Sequence, residues 1–325
     1  MSAISVNNLT KKFKDFPAIT DLSFEVPANH VVGFLGPNGA GKTTTLRVIV
    51  GLSKPTEGGV TVSDVPVVFG ESTANAKIGY LPEQPAFYGW MTGDEYLRFI
   101  ADLFPLAAKA QRVAEALKLV DLTGFRDKRV ATYSSGMKQR LGIAQALLHD
   151  PEVLILDEPV SALDPIGRKE VLEIIEKLKA QKTILFSTHI LADVDRICDD
   201  VVIINKGRLV AAAPLAELKA KYASPVLEVE FAADPRALLA AVRREPWVKR
   251  AESNGNLLRV WLNDDGAVGQ NRPLKYFAEQ KLGVLKYGLT LPGTEDLFVE
   301  LLDETAKPGE TAEPAKPAET EKTHE

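Results

Sequence analysis

Four short segments of this chain are apolar at nearly every position: Val31–Leu35, Val153–Leu156, Thr183–Ser187 and Val201–Ile204. A strand with one wet face alternates apolar and polar residues, whereas a strand covered on both faces does not. Such runs, alternating with segments of helical period, predict an α/β core built largely from parallel strands over residues 1 to about 221. Between about 85 and 150 the period becomes helical, with helices expected over Asp94–Leu103, Ala107–Leu119 and Met137–Leu148. A helical subdomain inserted into the α/β core is the reading.

Around Ser224–Pro225 the pattern restarts. Val226–Phe231 and Leu257–Leu262 alternate as strands do, Val284–Leu291 reads as extended, and Pro235–Arg244, Pro273–Gln280 and Glu295–Leu302 have helical period. That order suits a small β-α-β-β-α-β domain over 226–302. From 303 to 325 there is no large apolar residue, so a disordered tail is expected there.

Bulk properties narrow the class. The 325 residues exceed what one small core needs, and a hydrophobic fraction of 45% with 26% charged is ordinary for a globular protein. The net charge of -5 carries no basic block, so no nucleic-acid partner is expected. A lone cysteine, Cys198, rules out an internal disulfide framework and reads as a small core residue in a reducing compartment. No leader-like segment opens the sequence, and no apolar run approaches the ~20 residues that span a bilayer.

The chemistry begins at Gly36-Pro37-Asn38-Gly39-Ala40-Gly41-Lys42-Thr43, which matches G-x-x-x-x-G-K-[ST] between an apolar strand and the helical run Thr44–Val50. The glycines let successive backbone N–H groups curl towards phosphate oxygens, and the helix that opens at Thr44 adds its positive end. Lys42 is expected on the β- and γ-phosphates and Thr43 on Mg²⁺. A strand ending in two carboxylates, Val153-Leu154-Ile155-Leu156-Asp157-Glu158, supplies the second half. Asp157 is the expected Mg²⁺-associated acid and Glu158 the base that polarises an attacking water.

Tyr133-Ser134-Ser135-Gly136-Met137-Lys138-Gln139-Arg140 resembles the signature motif of the ATP-binding subunits of ABC transporters, ideally Leu-Ser-Gly-Gly-Gln, with Ser134 and Gly136 kept. Residues 1 to about 221 look like that family throughout. The resemblance implies an ATPase using ATP and Mg²⁺, in which Ser134 and Gly136 face the nucleotide of a second cassette in a homodimer. It also places Gln84 as a sensor of Mg²⁺ and water that contacts the transmembrane partner. Ser161-Ala162-Leu163-Asp164 would cross the dimer interface, His189 would reach the γ-phosphate, and Phe13 would stack on adenine, with Phe16 as a rival. Plainer readings stay open at this point: Ser134 or Ser135 and Asp164 as helix N-caps, His189 as a structural residue, Phe13 and Phe16 as core. His30, His149 and His324 fit no constellation.

The implied partners are integral membrane permease subunits, at the cytoplasmic face of the membrane. Met137–Leu141 and Pro292–Phe298 look like export-type members with a C-terminal accessory domain. Two other readings compete with transport: a cassette acting on nucleic acid or ribosomes, and a small-molecule P-loop kinase. A single phosphate loop, no room for a coiled coil between Thr43 and Ser134, and the signature itself favour transport.

Overall fold

The computed structural model describes residues 1–70, 73–221, 226–263, 272–280, 282–290, 293–294, 296–298 and 301. The chain opens with two long strands, β1 (Ser2–Phe13) and β2 (Phe16–Pro27), in an antiparallel hairpin that pairs Phe13 with Phe16 at its tip. With β4 (Glu57–Val62) and β5 (Val65–Pro66) they form an antiparallel sheet in the order β2-β1-β4-β5. This antiparallel sheet adds to the largely parallel core expected for residues 1 to about 221.

The second sheet matches the apolar runs. Its strands are β3 (Val31–Leu35), β6 (Ile78–Leu81), β7 (Val153–Leu156), β8 (Thr183–Thr188), β9 (Asp200–Asn205) and β10 (Arg208–Pro214), in the order β10-β9-β3-β8-β7-β6. All neighbours are parallel except the β9–β10 hairpin. Both faces are covered, which is why the strands do not alternate. Leu154, Leu156, Ile184 and Phe186 point into one hydrophobic cluster, while Val153, Ile155 and Leu185 point into another. Each such side chain contributes about 1.5–3 kcal/mol on burial.

The first cluster is closed by α2 (Gly93–Asp102), α3 (Lys109–Leu119), α4 (Ser135–Leu147) and α5 (Pro165–Leu178). The second is closed by the antiparallel sheet and by α1 (Lys42–Ile49), which buries Leu46, Val48 and Ile49. Capping fixes the helix starts: Thr92 and Glu95 form a capping box on α2, so that helix begins one residue before the expected Asp94. Ser134 caps α4, which therefore starts at Ser135 and not at Met137. α6 (Leu191–Ile197) and α7 (Leu215–Lys221) complete this part.

β11 (Val226–Phe231), α8 (Arg236–Val242), β12 (Val248–Asn254), β13 (Leu257–Leu262), α9 (Arg272–Ala278) and β14 (Val284–Thr290) follow the β-α-β-β-α-β order. Their sheet, β12-β13-β11-β14, is antiparallel throughout and packs around Phe231, Trp247 and Phe277. Thr294, Asp296, Leu297, Phe298 and Leu301 are helical. Leu297 and Leu301 are buried, not in that core, but against Leu35, Val194, Val201, Ile203, Leu215 and Leu218. The Ser224–Pro225 junction and the 303–325 tail lie outside the described residues. Among the described residues no helix is long and apolar enough to cross a membrane.

Candidate functional site

The turn from β3 into α1 sets the site. Gly41 is the N-cap of α1 with φ +105°, a left-handed conformation, and a Cβ there would sit 2.8 Å from the Ala18 carbonyl oxygen. Only glycine fits. The loop 36–44 wraps one side of a cavity of about 500 Å³ whose other walls include Phe13, Phe16, Ala18, Glu83, Glu158, Ser161 and His189. Pro37, Asn38, Gly39, Ala40, Gly41, Lys42, Thr43 and Thr44 all line it; Gly36 does not, and its carbonyl accepts from Lys42 Nζ.

Lys42 is buried. Its Nζ donates to the Gly36 carbonyl at 2.8 Å and pairs with Glu158 Oε1 at 3.3 Å. Glu158 Oε2 lies 2.9 Å from His189 Nδ1, so one carboxylate bridges a lysine and an imidazole that is nearly half exposed. Glu158 has φ 46°, a left-handed backbone that a non-glycine residue adopts only under constraint. The constraint is visible: its N–H donates to Ser187 Oγ at 2.8 Å, and Ser161 Oγ donates to its carbonyl at 3.2 Å.

Asp157 lies beneath. Its backbone N–H bonds the Leu81 carbonyl at 2.9 Å, and its Oδ1 accepts from Thr43 Oγ1 at 3.2 Å and from Ser187 Oγ at 2.7 Å. Its Oδ2 is buried with no hydrogen-bond partner among the described residues. An unpartnered buried carboxylate oxygen beside a threonine hydroxyl, at the foot of a phosphate loop, is a donor set that fits a hard divalent cation. Nearby Tyr80 is pushed up to about 12, first by burial and then by the Asp157 charge.

Phe13 and Phe16 are 51% and 67% exposed, so neither belongs to the core, and both line the cavity. Other expected residues stand apart from it. Gln84 is exposed, one residue beyond the lining Glu83. Ser134 and Asp164 each cap a helix, accepting from the N–H groups of Met137 at 3.2 Å and Gly167 at 2.9 Å. A Cβ on Gly136 would come within 3.7 Å of Gly167 Cα, so the starts of α4 and α5 lie side by side. The structure thus gathers Phe13, Lys42, Thr43, Asp157, Glu158 and His189, and leaves Ser134, Gly136 and Asp164 on a separate surface. Ser187 and Glu83 were not anticipated; the only hint for Ser187 was a polar residue closing an otherwise apolar run.

The remaining polar singletons have local partners. His30 Nδ1 contacts Asp200 Oδ2. His149 stacks on Phe104, bonds the Ile78 carbonyl, and is held below its ordinary value, chiefly by burial. The Cys198 thiol is pushed well up by burial.

Residues 19–161 match the family model described as ABC transporter. The chain is 47% identical over 219 residues to the uncharacterized ABC transporter ATP-binding protein YxlF of Bacillus subtilis (strain 168), covering 66% of this chain and 72% of that one. This chain belongs to the ABC transporter ATP-binding proteins. A bacitracin transport ATP-binding protein, BcrA of Bacillus licheniformis, is 36% identical over 302 residues, 92% of this chain and 97% of its own. Among solved structures, an ATP-binding subunit of an ABC transporter superposes with a TM-score of 0.62 at 32% identity, covering 68% of this chain and 93% of that one. The chain is therefore an ATP-binding, ATP-hydrolysing transporter subunit with the P-loop fold.

Proposed function

We propose that this subunit energises export through separate integral membrane permease subunits at the cytoplasmic face of the membrane. Two copies would close around ATP and part after hydrolysis. The observation that carries the shared site is the position of Ser134 and Gly136: they open α4 outside the cavity that holds Lys42, Glu158 and His189. A helix start bearing a hydroxyl and a side-chain-free backbone suits a phosphate, and here it serves the nucleotide of the other copy. Asp164, beside Gly136, lies on the same crossing surface. Export is supported by the similarity to a Nod factor export ATP-binding protein of Burkholderia orbicola (strain AU 1054), 34% identical over 305 residues, which at 93% of the chain extends beyond residue 221 into the accessory region. We accordingly read residues 1–221 as the cassette, 226–302 as an accessory domain and 303–325 as a tail.

Within each site, Phe13 or its neighbour Phe16 stacks on adenine, and the loop N–H groups cradle the phosphates. Lys42 exchanges its Glu158 contact for β- and γ-phosphate oxygens. Glu158, held at its strained φ by Ser187 and Ser161, takes a proton from the attacking water, while His189 fixes the carboxylate and reaches the γ-phosphate. Thr43, Asp157 and Gln84 would hold Mg²⁺, which when bound neutralises developing phosphate charge.

Glu158→Gln is the test. It is expected to keep ATP binding, to lower turnover by more than about a hundredfold, and to elute as a dimer in ATP. Wild-type turnover would remove Glu158 from its role, and a monomer in saturating ATP would remove the shared site. Copurification with integral membrane proteins tests the partnership with permease subunits.

A further inference from the structure

α6 begins two residues after His189. Ile190 caps it and donates its N–H to Thr188 Oγ1 at 3.0 Å, so little slack separates the helix from the imidazole. α6 is held from two sides. On the α5 side, Arg168 binds the buried Asp193 at 2.7 and 2.8 Å, and Arg196 binds Glu176 at 2.9 Å.

On the other side the partners come from much later in the chain. Asp195 accepts from Lys219 Nζ of α7 at 2.7 Å and from Thr294 Oγ1. Thr294 is 2% exposed, and Leu297 and Leu301 are 3% and 4% exposed against Val194, Val201 and Leu35, the residue just before the phosphate loop. The same helical residues are anchored to the accessory sheet. Asp296 receives two hydrogen bonds from Arg259 of β13, at 3.0 and 2.8 Å, and one from the Gly293 N–H at 3.0 Å. Arg259 is itself braced by Glu228 at 3.2 Å and by the Trp261 ring, 5.1 Å from its guanidinium. Docking alone needs only the leucines. A buried hydroxyl aimed at a carboxylate on the helix that follows His189 adds direction.

We infer that Thr294 and Asp195 are positioning residues for hydrolysis. Through them the accessory sheet sets the placement of α6, and so the approach of His189 to Glu158 and phosphate. This rests on the proposed contact between His189 and the γ-phosphate. The accessory domain then acts as a strut whose loosening at Thr294 slows turnover without weakening nucleotide binding, because that hydrogen bond meets α6 and leaves the leucine packing beside Leu35 in place.

The test uses the full chain. Thr294→Val keeps the shape and removes the hydroxyl; kcat is expected to fall about tenfold while KM for ATP changes less than about twofold. Thr294→Ser should restore kcat. In ¹³C-histidine NMR, with the His189 signal assigned by its loss in His189→Ala, Thr294→Val should move His189 and leave His149 in place. If Thr294→Val does not fold, Asp195→Ala, at a partly exposed position, carries the same expectations. Wild-type kcat with an unmoved His189 signal overturns the inference, and so does an equal shift of His149, which marks general loosening. Full turnover in His189→Ala together with a moved signal in Thr294→Val would sink the phosphate contact but leave the link from strut to α6 standing.

Discussion

Ser187→Ala probes the joint between the two acidic residues. Ser187 is fully buried; its Oγ donates to Asp157 Oδ1 at 2.7 Å and accepts from the Glu158 N–H at 2.8 Å. Removing one oxygen leaves a void too small for water, so the cost is polar. An orphaned buried N–H costs about 1–3 kcal/mol, and a lost hydrogen bond to a carboxylate about 1.5–3 kcal/mol. Asp157 keeps Thr43 as a partner, which offsets part of the second loss. A net destabilisation of about 3 kcal/mol follows, which at an m-value of about 3 kcal/mol per molar lowers the urea midpoint by about 1 M. Turnover should fall further than stability explains. With its N–H released, Glu158 can leave the left-handed conformation that aims its carboxylate, and misplacement by about 1 Å costs up to about a hundredfold. Urea titration followed by steady-state ATPase at low temperature separates the two effects. An unchanged midpoint with unchanged kcat would refute the view that Ser187 ties the acidic pair together.

Phe13→Ala and Phe16→Ala decide which ring stacks on adenine: the stacking residue should lose about 1–2 kcal/mol of ATP affinity by calorimetry, and equal, negligible losses would remove both. Lys42→Ala should weaken ATP binding at least about tenfold in a fluorescent-nucleotide titration, and unchanged affinity would contradict the cradle. Gly41→Ala places a Cβ 2.8 Å from the Ala18 carbonyl at φ +105°, so nucleotide binding should be lost with only local change in the circular dichroism spectrum. His149 has its pKa held below 6.5 by burial, so on acidification the unfolded chain binds the proton first. Stability should drop as pH falls below 6.5 and level off beneath the folded-state value; His149→Gln should flatten that segment of the urea-midpoint curve, and an unaltered slope would exonerate the histidine.

Much of the fold was legible because burial writes directly into sequence. Val31–Leu35 and Val153–Leu156 are apolar at consecutive positions since their two faces feed two different clusters. The antiparallel sheet was not legible: β1 carries register shifts and the positive φ of Asn8, which scramble its alternation, and its far end holds Lys11 and Lys12. β12 was missed for another reason. It is an edge strand with Ala251 as its one fully buried residue, so Lys249, Arg250, Glu252 and Asn254 read as loop. At the site, Lys42, Asp157 and Glu158 announce themselves through local context, whereas Ser187 acquires its meaning only when β8 lies beside β7. Long-range pairing of that kind leaves no local mark.

The return of Leu297 and Leu301 to the cassette has a consequence for how the chain is made. The last cassette helix ends at Lys221, yet the surface formed by Leu35, Val194, Val201 and Leu218 is not covered until Leu301 has been synthesised, 80 residues later. At about 5–20 residues per second on the ribosome, that apolar surface waits several seconds for its lid. A fragment stopped at Lys221 would carry it permanently open, and would be expected to recruit chaperones or self-associate while the full-length chain stays dispersed.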